Sequence, residues 1–274
     1  MKNHRYAAWV LATCVMAATT PARAQSQPDP DRVLNPAQPD VTLVNLPTSM
    51  RIPLHRGSFR LSHRFSRPLG QGDFTDLVQD AFGFDSSANI GIEFRYGLMR
   101  GLQIGVYRTN DRTIEFFGQY SAVQQGERMP LSIDAYAAVD GTDNFTDSYT
   151  PVFGAIVSRT IGRHAALYAE PMWVNNSNPL PKEVVDDNDT FLVGLGARLR
   201  IRPSVYLVYE AVPRVGGYEP GGMQQSFAIE RRAGGHLFQL NFSNGTGSAW
   251  SQLARGGPGT GDWYIGFNLS RKFF

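Results

Sequence analysis

The sequence predicts an all-β fold, a closed antiparallel up-and-down transmembrane β-barrel of about 12 strands, on three observations. The chain closes on DWYIGFNLSRKFF, where Trp263, Ile265, Phe267, Leu269 and Phe273 alternate with Tyr264, Gly266, Asn268, Ser270 and Lys272. One apolar face, one mixed face and a terminal aromatic suit the last stave of an outer-membrane barrel. About twelve segments share that alternation, and short connectors alternate with long polar ones.

Residues 1–24 read as a signal peptide. Lys2 and Arg5 precede the apolar Ala7 to Ala18, and Ala22-Arg23-Ala24 supplies an A-x-A cleavage site. Without the leader's Lys2, Arg5 and Arg23, 23 basic residues face 24 acidic ones, so the mature chain is near neutral and carries no nucleic-acid signal. Cys14, the one cysteine, lies in the leader. The mature chain therefore has no disulfide, thiolate metal site or cysteine nucleophile. Residues 25–56 are expected to form a flexible periplasmic lead-in: 25–41 are rich in Pro, Asp and Gln, whereas Thr42 to Pro53 is more apolar and suits a short extended segment near the barrel mouth. The barrel is expected over 57–274.

The expected strands run in order. Ser58–Ser66 sets Phe59, Leu61 and Phe65 on one side, and Asn89–Leu98, Leu102–Arg108, Thr113–Ala122 and Leu131–Val139 follow. Val152–Ile161 and Ala165–Val174 precede the cleanest, Phe191–Ile201, with Phe191, Val193, Leu195, Ala197, Leu199 and Ile201 at period two. Ser204–Val212, the weak Gln225–Glu230, His236–Ser243 and the terminal strand complete the set. Several approach the roughly 9–11 residues that a tilted spanning strand needs. Tight links such as Arg100-Gly101 and Arg202-Pro203 alternate with longer ones at 67–88, 140–151, 175–190, 213–224 and 244–261. Two links depart from this pattern: the outer one near Asn110-Asp111 is short, and Gln124–Pro130 is long for a periplasmic turn.

On the apolar parity, Phe65, Trp173, Tyr209 and Trp263 are expected at the outer interface, with Tyr96, Tyr120 and Phe273 at the inner one, as two aromatic girdles. The opposite parity collects Arg60, Arg64, Glu93, Arg95, Glu115, Asp134, Glu170, Arg198, Arg200 and Glu210, with polar partners including Gln119, Tyr136, Tyr168, Gln239 and Asn241. Such groups are costly in hydrocarbon and must line a lumen. Their balanced signs favour a narrow or plugged interior in which carboxylates pair guanidinium groups.

Phe74 to Phe82 has helical spacing and suits a short helix on the rim or folded into the barrel. Asp186, Asp187, Asn188 and Asp189, like Asp140, Asp143 and Asp147, match no calcium-loop motif and read as solvated loop charge. No metal or other cofactor is expected. The mature histidines are His55, His63, His164 and His236; none shares a strand face with an obvious serine and carboxylate, and G-x-S-x-G and H-E-x-x-H are absent.

Leu43–Phe65, Phe82–Arg108, Gly234–Gly247 and the terminal GFNLSRKF, with SHRF, GFDSSAN and GGHxFQL as the more specific pieces, resemble a bacterial family of uncharacterised β-barrel proteins catalogued as a domain of unknown function. The resemblance implies an outer-membrane barrel and carries over no catalytic or ligand residue. The expected role is structural or that of a narrow small-solute pore, with outer-membrane lipid and the barrel insertion machinery as partners. The alternatives are a lipid-modifying barrel enzyme using an interfacial histidine, or a soluble periplasmic β-sandwich that binds a ligand. Phe274 falls on the polar parity, so either Phe273 serves the insertion machinery or a bulge shifts the phase.

Overall fold

The computed structural model describes residues 29–178, 180, 183, 184, 186, 188–258 and 261–274. The leader expected at 1–24, residues 25–28 of the expected lead-in, Asp187 and part of the glycine-rich 256–261 lie outside the described residues. The strands are β1 (Gly57–Phe65), β2 (Ala88–Met99), β3 (Leu102–Thr109), β4 (Ile114–Val123), β5 (Ser132–Gly141) and β6 (Asp147–Ile161). They continue as β7 (Ala165–Asn175), β8 (Asp189–Arg202), β9 (Val205–Val212), β10 (Arg214–Gly217), β11 (Gln224–Ala233), β12 (His236–Ser243) and β13 (Tyr264–Lys272).

Sequential strands pair antiparallel, β9 pairs β11, and β1 pairs β13, so twelve staves close on themselves. The short β10 is the one addition. β9 pairs β8 as far as Leu195↔Ala211, and β10 resumes at Arg214↔Leu192. Pro213 breaks this stave because it has no N–H for the ladder, while its carbonyl accepts from the Val193 N–H at 2.9 Å. Each of the twelve expected segments overlaps a stave. The largest extensions are at β6, which begins five residues early, and at β11.

Side-chain parity separates outside from inside. Phe191 and Leu195 are 49% and 44% exposed, whereas Glu170 and Arg198 are fully buried. Phe94, Phe116, Phe153, Leu207, Ile229 and Phe238 continue the exposed apolar belt around the molecule. Among the described residues no second sheet covers that belt, which overturns the β-sandwich alternative. A surface so apolar matches hydrocarbon and not water.

The lead-in departs from expectation. Residues 37–48 are all buried, and 41–48 form a small hairpin bridged at Thr42↔Pro47 inside the barrel. For the described residues 29–56 the expected flexible periplasmic lead-in is therefore corrected: its apolar half is a plug. A twelve-strand barrel is wider than the eight-strand one that side chains alone can fill, and this inserted segment takes up the difference.

Among the described residues, three short α-helices lie in the loops: α1 (Phe74–Gln79), the single turn α2 (Thr142–Phe145) and α3 (Trp250–Arg255). α1 falls where helical spacing placed it, N-capped by Asp73, and no residue of it is buried, so it lies on the rim. The segment that enters the barrel from the long-loop end is instead α3, with Trp250, Ser251, Leu253 and Ala254 buried. At the chain end the register runs unbroken from Ser58↔Lys272 to Arg64↔Gly266, so no bulge shifts the phase. Lys272 points inward, Phe273 outward, and Phe274 packs against Val41, Met50 and Ile52 at the base of the plug.

Candidate functional site

The hairpin reaches the lumen with its backbone polar groups still needing partners, because only two pairings are internal: Leu43 N–H to Leu46 O and Thr48 N–H to Val41 O, both 2.8 Å. The wall supplies the rest. The Glu210 carboxylate of β9 accepts the N–H groups of Val44, Asn45 and Leu46 at 3.0, 2.9 and 3.2 Å. Three convergent backbone donors make a concave anion seat, here filled by a side chain of the barrel. Carbonyls of the hairpin face donors: Thr42 O accepts from Arg198 at 2.6 Å, Leu43 O from Gln239 at 3.0 Å, and Val44 O from Arg60 at 3.1 Å and Asn268 at 2.9 Å. Lower down, Gln119 and Gln103 donate to Thr48 O and Met50 O at 2.8 and 3.2 Å.

Asn45 occupies the tip. Its Nδ2 donates to Glu210 at 2.6 Å, and its Oδ1 accepts from Arg64 at 3.1 Å. The carboxamide thus lies between an anion and a cation, its dipole aligned with both. On either side, Leu43 and Leu46 press on Gly196 and Gly194 of β8. A Cβ added at Gly196 would lie 2.2 Å from Leu43 Cδ1, and one at Gly194 3.0 Å from Leu46 Cδ1. Both leucines seat because the wall has no side chains there. At the base, Asp40 accepts from Ser270 and pairs with Lys272, and the Ser49 hydroxyl meets that of Ser158 on β6.

The expected lumen charges come together with one exception. Arg60 and Arg95 flank Glu93, with an Arg60–Glu93 separation of 3.0 Å. Arg198 grips Glu230 through Nε and Nη2, both at 2.9 Å. Arg64 and Glu210 take the hairpin tip, Asp134 accepts from Gln119 at 2.6 Å, and Glu170 is buried with no hydrogen-bond partner on either oxygen. Arg200 is the exception: at the foot of β8 it donates to Pro203 O, half-exposed beside the turn. Asp40, Asp140, Glu230 and Lys272 also belong to the buried set.

Asp140 is not solvated loop charge. It faces Glu115 across the β4–β5 pair, and the two carboxylates receive the start of α3. Trp250 N–H donates to Glu115 at 3.3 Å and Ser251 N–H to Asp140 at 2.8 Å. Tyr136 donates to Glu115 at 3.2 Å and meets the Trp250 ring edge-on, and Tyr107 donates to Ser248 at 2.7 Å. Hairpin and helix join one apolar core with inward-facing Ile156, Met172, Val174, Leu192, Val208 and Val212.

Phe65, Trp173, Tyr209 and Trp263 lie toward the long-loop end; Trp173 stacks on Phe153, Trp263 packs on Phe227, and Phe65 is capped by Phe84. Tyr96, Tyr120 and Phe273 lie toward the end bearing the short turns. His63 stacks on Phe267 at 4.9 Å, and His236 lies 3.3 Å from Arg271. No group of three or more His, Cys, Asp or Glu placed to hold a metal occurs among the described residues.

A closed barrel with a lipid-compatible exterior and a polar, occupied interior defines a membrane β-barrel protein. The chain belongs to the family described as membrane bound beta barrel domain (DUF5777), whose model matches residues 40–273, hairpin included. It is similar to the solved NanC porin at 6% identity and a TM-score of 0.54, over 80% of this chain and 100% of that one. Outer membrane phospholipase A from Escherichia coli gives 7% identity and 0.45, covering 87% and 98%. A triple mutant of the Rhodopseudomonas blastica porin gives 10% and 0.37; this chain covers 68% of itself and 55% of that porin. At these identities the likeness is one of fold. A search of curated protein sequences gives no match.

Proposed function

We propose that this protein is an outer-membrane barrel of the porin type, closed at rest, in which small-solute passage requires withdrawal of the N-terminal hairpin and of α3. The observation that carries this reading is the seating of three hairpin N–H groups on Glu210 in the middle of the lumen. A buried hairpin must have its N–H groups satisfied, and here side chains of the wall satisfy them in place of a sheet ladder. A polar seat holds its occupant by contacts that water or a solute can replace. An enzymatic role has less support: neither His63 nor His236 is hydrogen-bonded to a serine or a carboxylate.

Liposome swelling tests the reading. The mature chain is expected to admit sugars no faster than empty vesicles. A chain combining Gly196→Ala, which displaces Leu43, with a Gly-Ser linker in place of 248–256 is expected to swell. Adding Leu43→Ala to that chain is expected to close it again by making room for the new methyl. Rapid swelling by the unmodified chain contradicts the proposal, as does an impermeable double variant whose hairpin has become protease-sensitive.

A further inference from the structure

Most polar contacts between wall and hairpin go to the main chain of the hairpin. Arg198 and Asn268 read carbonyl oxygens of the main chain, and Glu210 reads three consecutive N–H groups. The side chain read by polar contacts at the tip is Asn45, held at both ends of its carboxamide by Glu210 and Arg64. The flanking leucines are accommodated by Gly196 and Gly194. Nothing in this set depends on the covalent link through residues 53–56, whose His55 and Arg56 are exposed.

We infer that the lumen is a peptide-binding site, with residues 42–50 as its resident ligand. Supplied in trans, its ligands are short peptides that fold into a tight turn with asparagine at the tip and leucines beside it. The inference rests on the reading of the hairpin as a displaceable plug, and it names the chemistry of what replaces it. A turn peptide presents the same N–H triplet to Glu210 and the same carbonyls to Arg198 and Asn268. A sugar or a small anion offers no such row of alternating donors and acceptors. Main-chain recognition supplies affinity, and the carboxamide and the two leucine niches supply selectivity.

A split chain tests this. A site-specific protease sequence replaces His55-Arg56 in the mature protein, the folded protein is cut, and the two pieces are separated in guanidinium. The long piece is then refolded in detergent with a fluorescent peptide of residues 38–54. The expected result is one peptide per heat-modifiable barrel, displaced by unlabelled peptide, with the Asn45→Ala peptide at least tenfold weaker as a competitor. A Gly196→Ala barrel is expected to lose capture and to regain it with a Leu43→Ala peptide. The inference is overturned if the barrel refolds without capturing peptide, if a scrambled peptide competes equally, or if no barrel forms with peptide present. Capture without a conducting empty barrel refutes the passage reading alone. Conduction without capture refutes this inference alone.

Discussion

Glu210 concentrates the energetics of the plug in one carboxylate. Hydrogen bonds to a charged group are worth about 1.5–3 kcal/mol each, and a buried charge that loses its partners costs more. Glu210→Gln keeps the volume but removes the charge, and it turns an NH2 group toward backbone donors. Amide exchange at Val44, Asn45 and Leu46 is then expected to quicken roughly tenfold or more, by the relation of about 1.4 kcal/mol per decade. Exchange in β8 and β9 should stay unchanged; protection at all sites as in the parent protein would show that the seat contributes little. Glu210 was recognisable from sequence as a lumen residue through its parity in VYLVYEAV. Its partner was not, because alternation says which way a side chain points and nothing about what lies opposite.

The hairpin is the element that sequence reading misplaced, and the signal for it lay elsewhere in the chain. Met172, Val174, Leu192, Val208 and Val212 sit on the inward parity of β7, β8 and β9, where a water-filled lumen has no use for them. Their presence reports an apolar occupant, as does the relative greasiness of Thr42 to Pro53. The staves themselves were legible because each must alternate to separate lipid from lumen, whereas a hairpin over 41–48 and a six-residue α3 are too short for any period. At the hairpin's base, outside the spanning strands, Asp40 is fully buried. Burial alone pushes its carboxyl up, yet Lys272, the Ser270 hydroxyl and Arg198 together hold it below the usual range. A depressed folded value means that this contact stabilises the hairpin above the ordinary carboxylate pKa of about 3.9 and is lost as pH falls through the folded value. Pepsin cleavage within 41–52 is therefore expected to rise steeply at strongly acidic pH in the parent protein. Asp40→Asn should show raised cleavage that follows only the pH profile of pepsin on an unfolded substrate; a parent-like additional acid step in that variant would remove Asp40 from the account.

At the scale of the whole molecule, a cylinder with a lipid-facing outside encloses a polar lumen entered from both ends, by the hairpin and by α3. Leu195, exposed at mid-strand on β8, tests the outside. Leu195→Arg is expected to lower folding stability in vesicles by about 2–4 kcal/mol, read from a urea titration of the heat-modifiable band. A neutral result would place β8 away from hydrocarbon. The inside is tested most directly by a disulfide, which is unambiguous in residues 25–274 because that stretch contains no cysteine. Ser49, directly after the hairpin, and Ser158 of β6 have their hydroxyls in contact, so the pair S49C and S158C has the reach a disulfide requires. In protein refolded into vesicles, mild oxidation should link residues 49 and 158 in nearly every molecule, seen as one cross-linked peptide in a non-reducing digest. Two freely alkylated thiols in a heat-modifiable barrel would mean that the hairpin is not in the lumen.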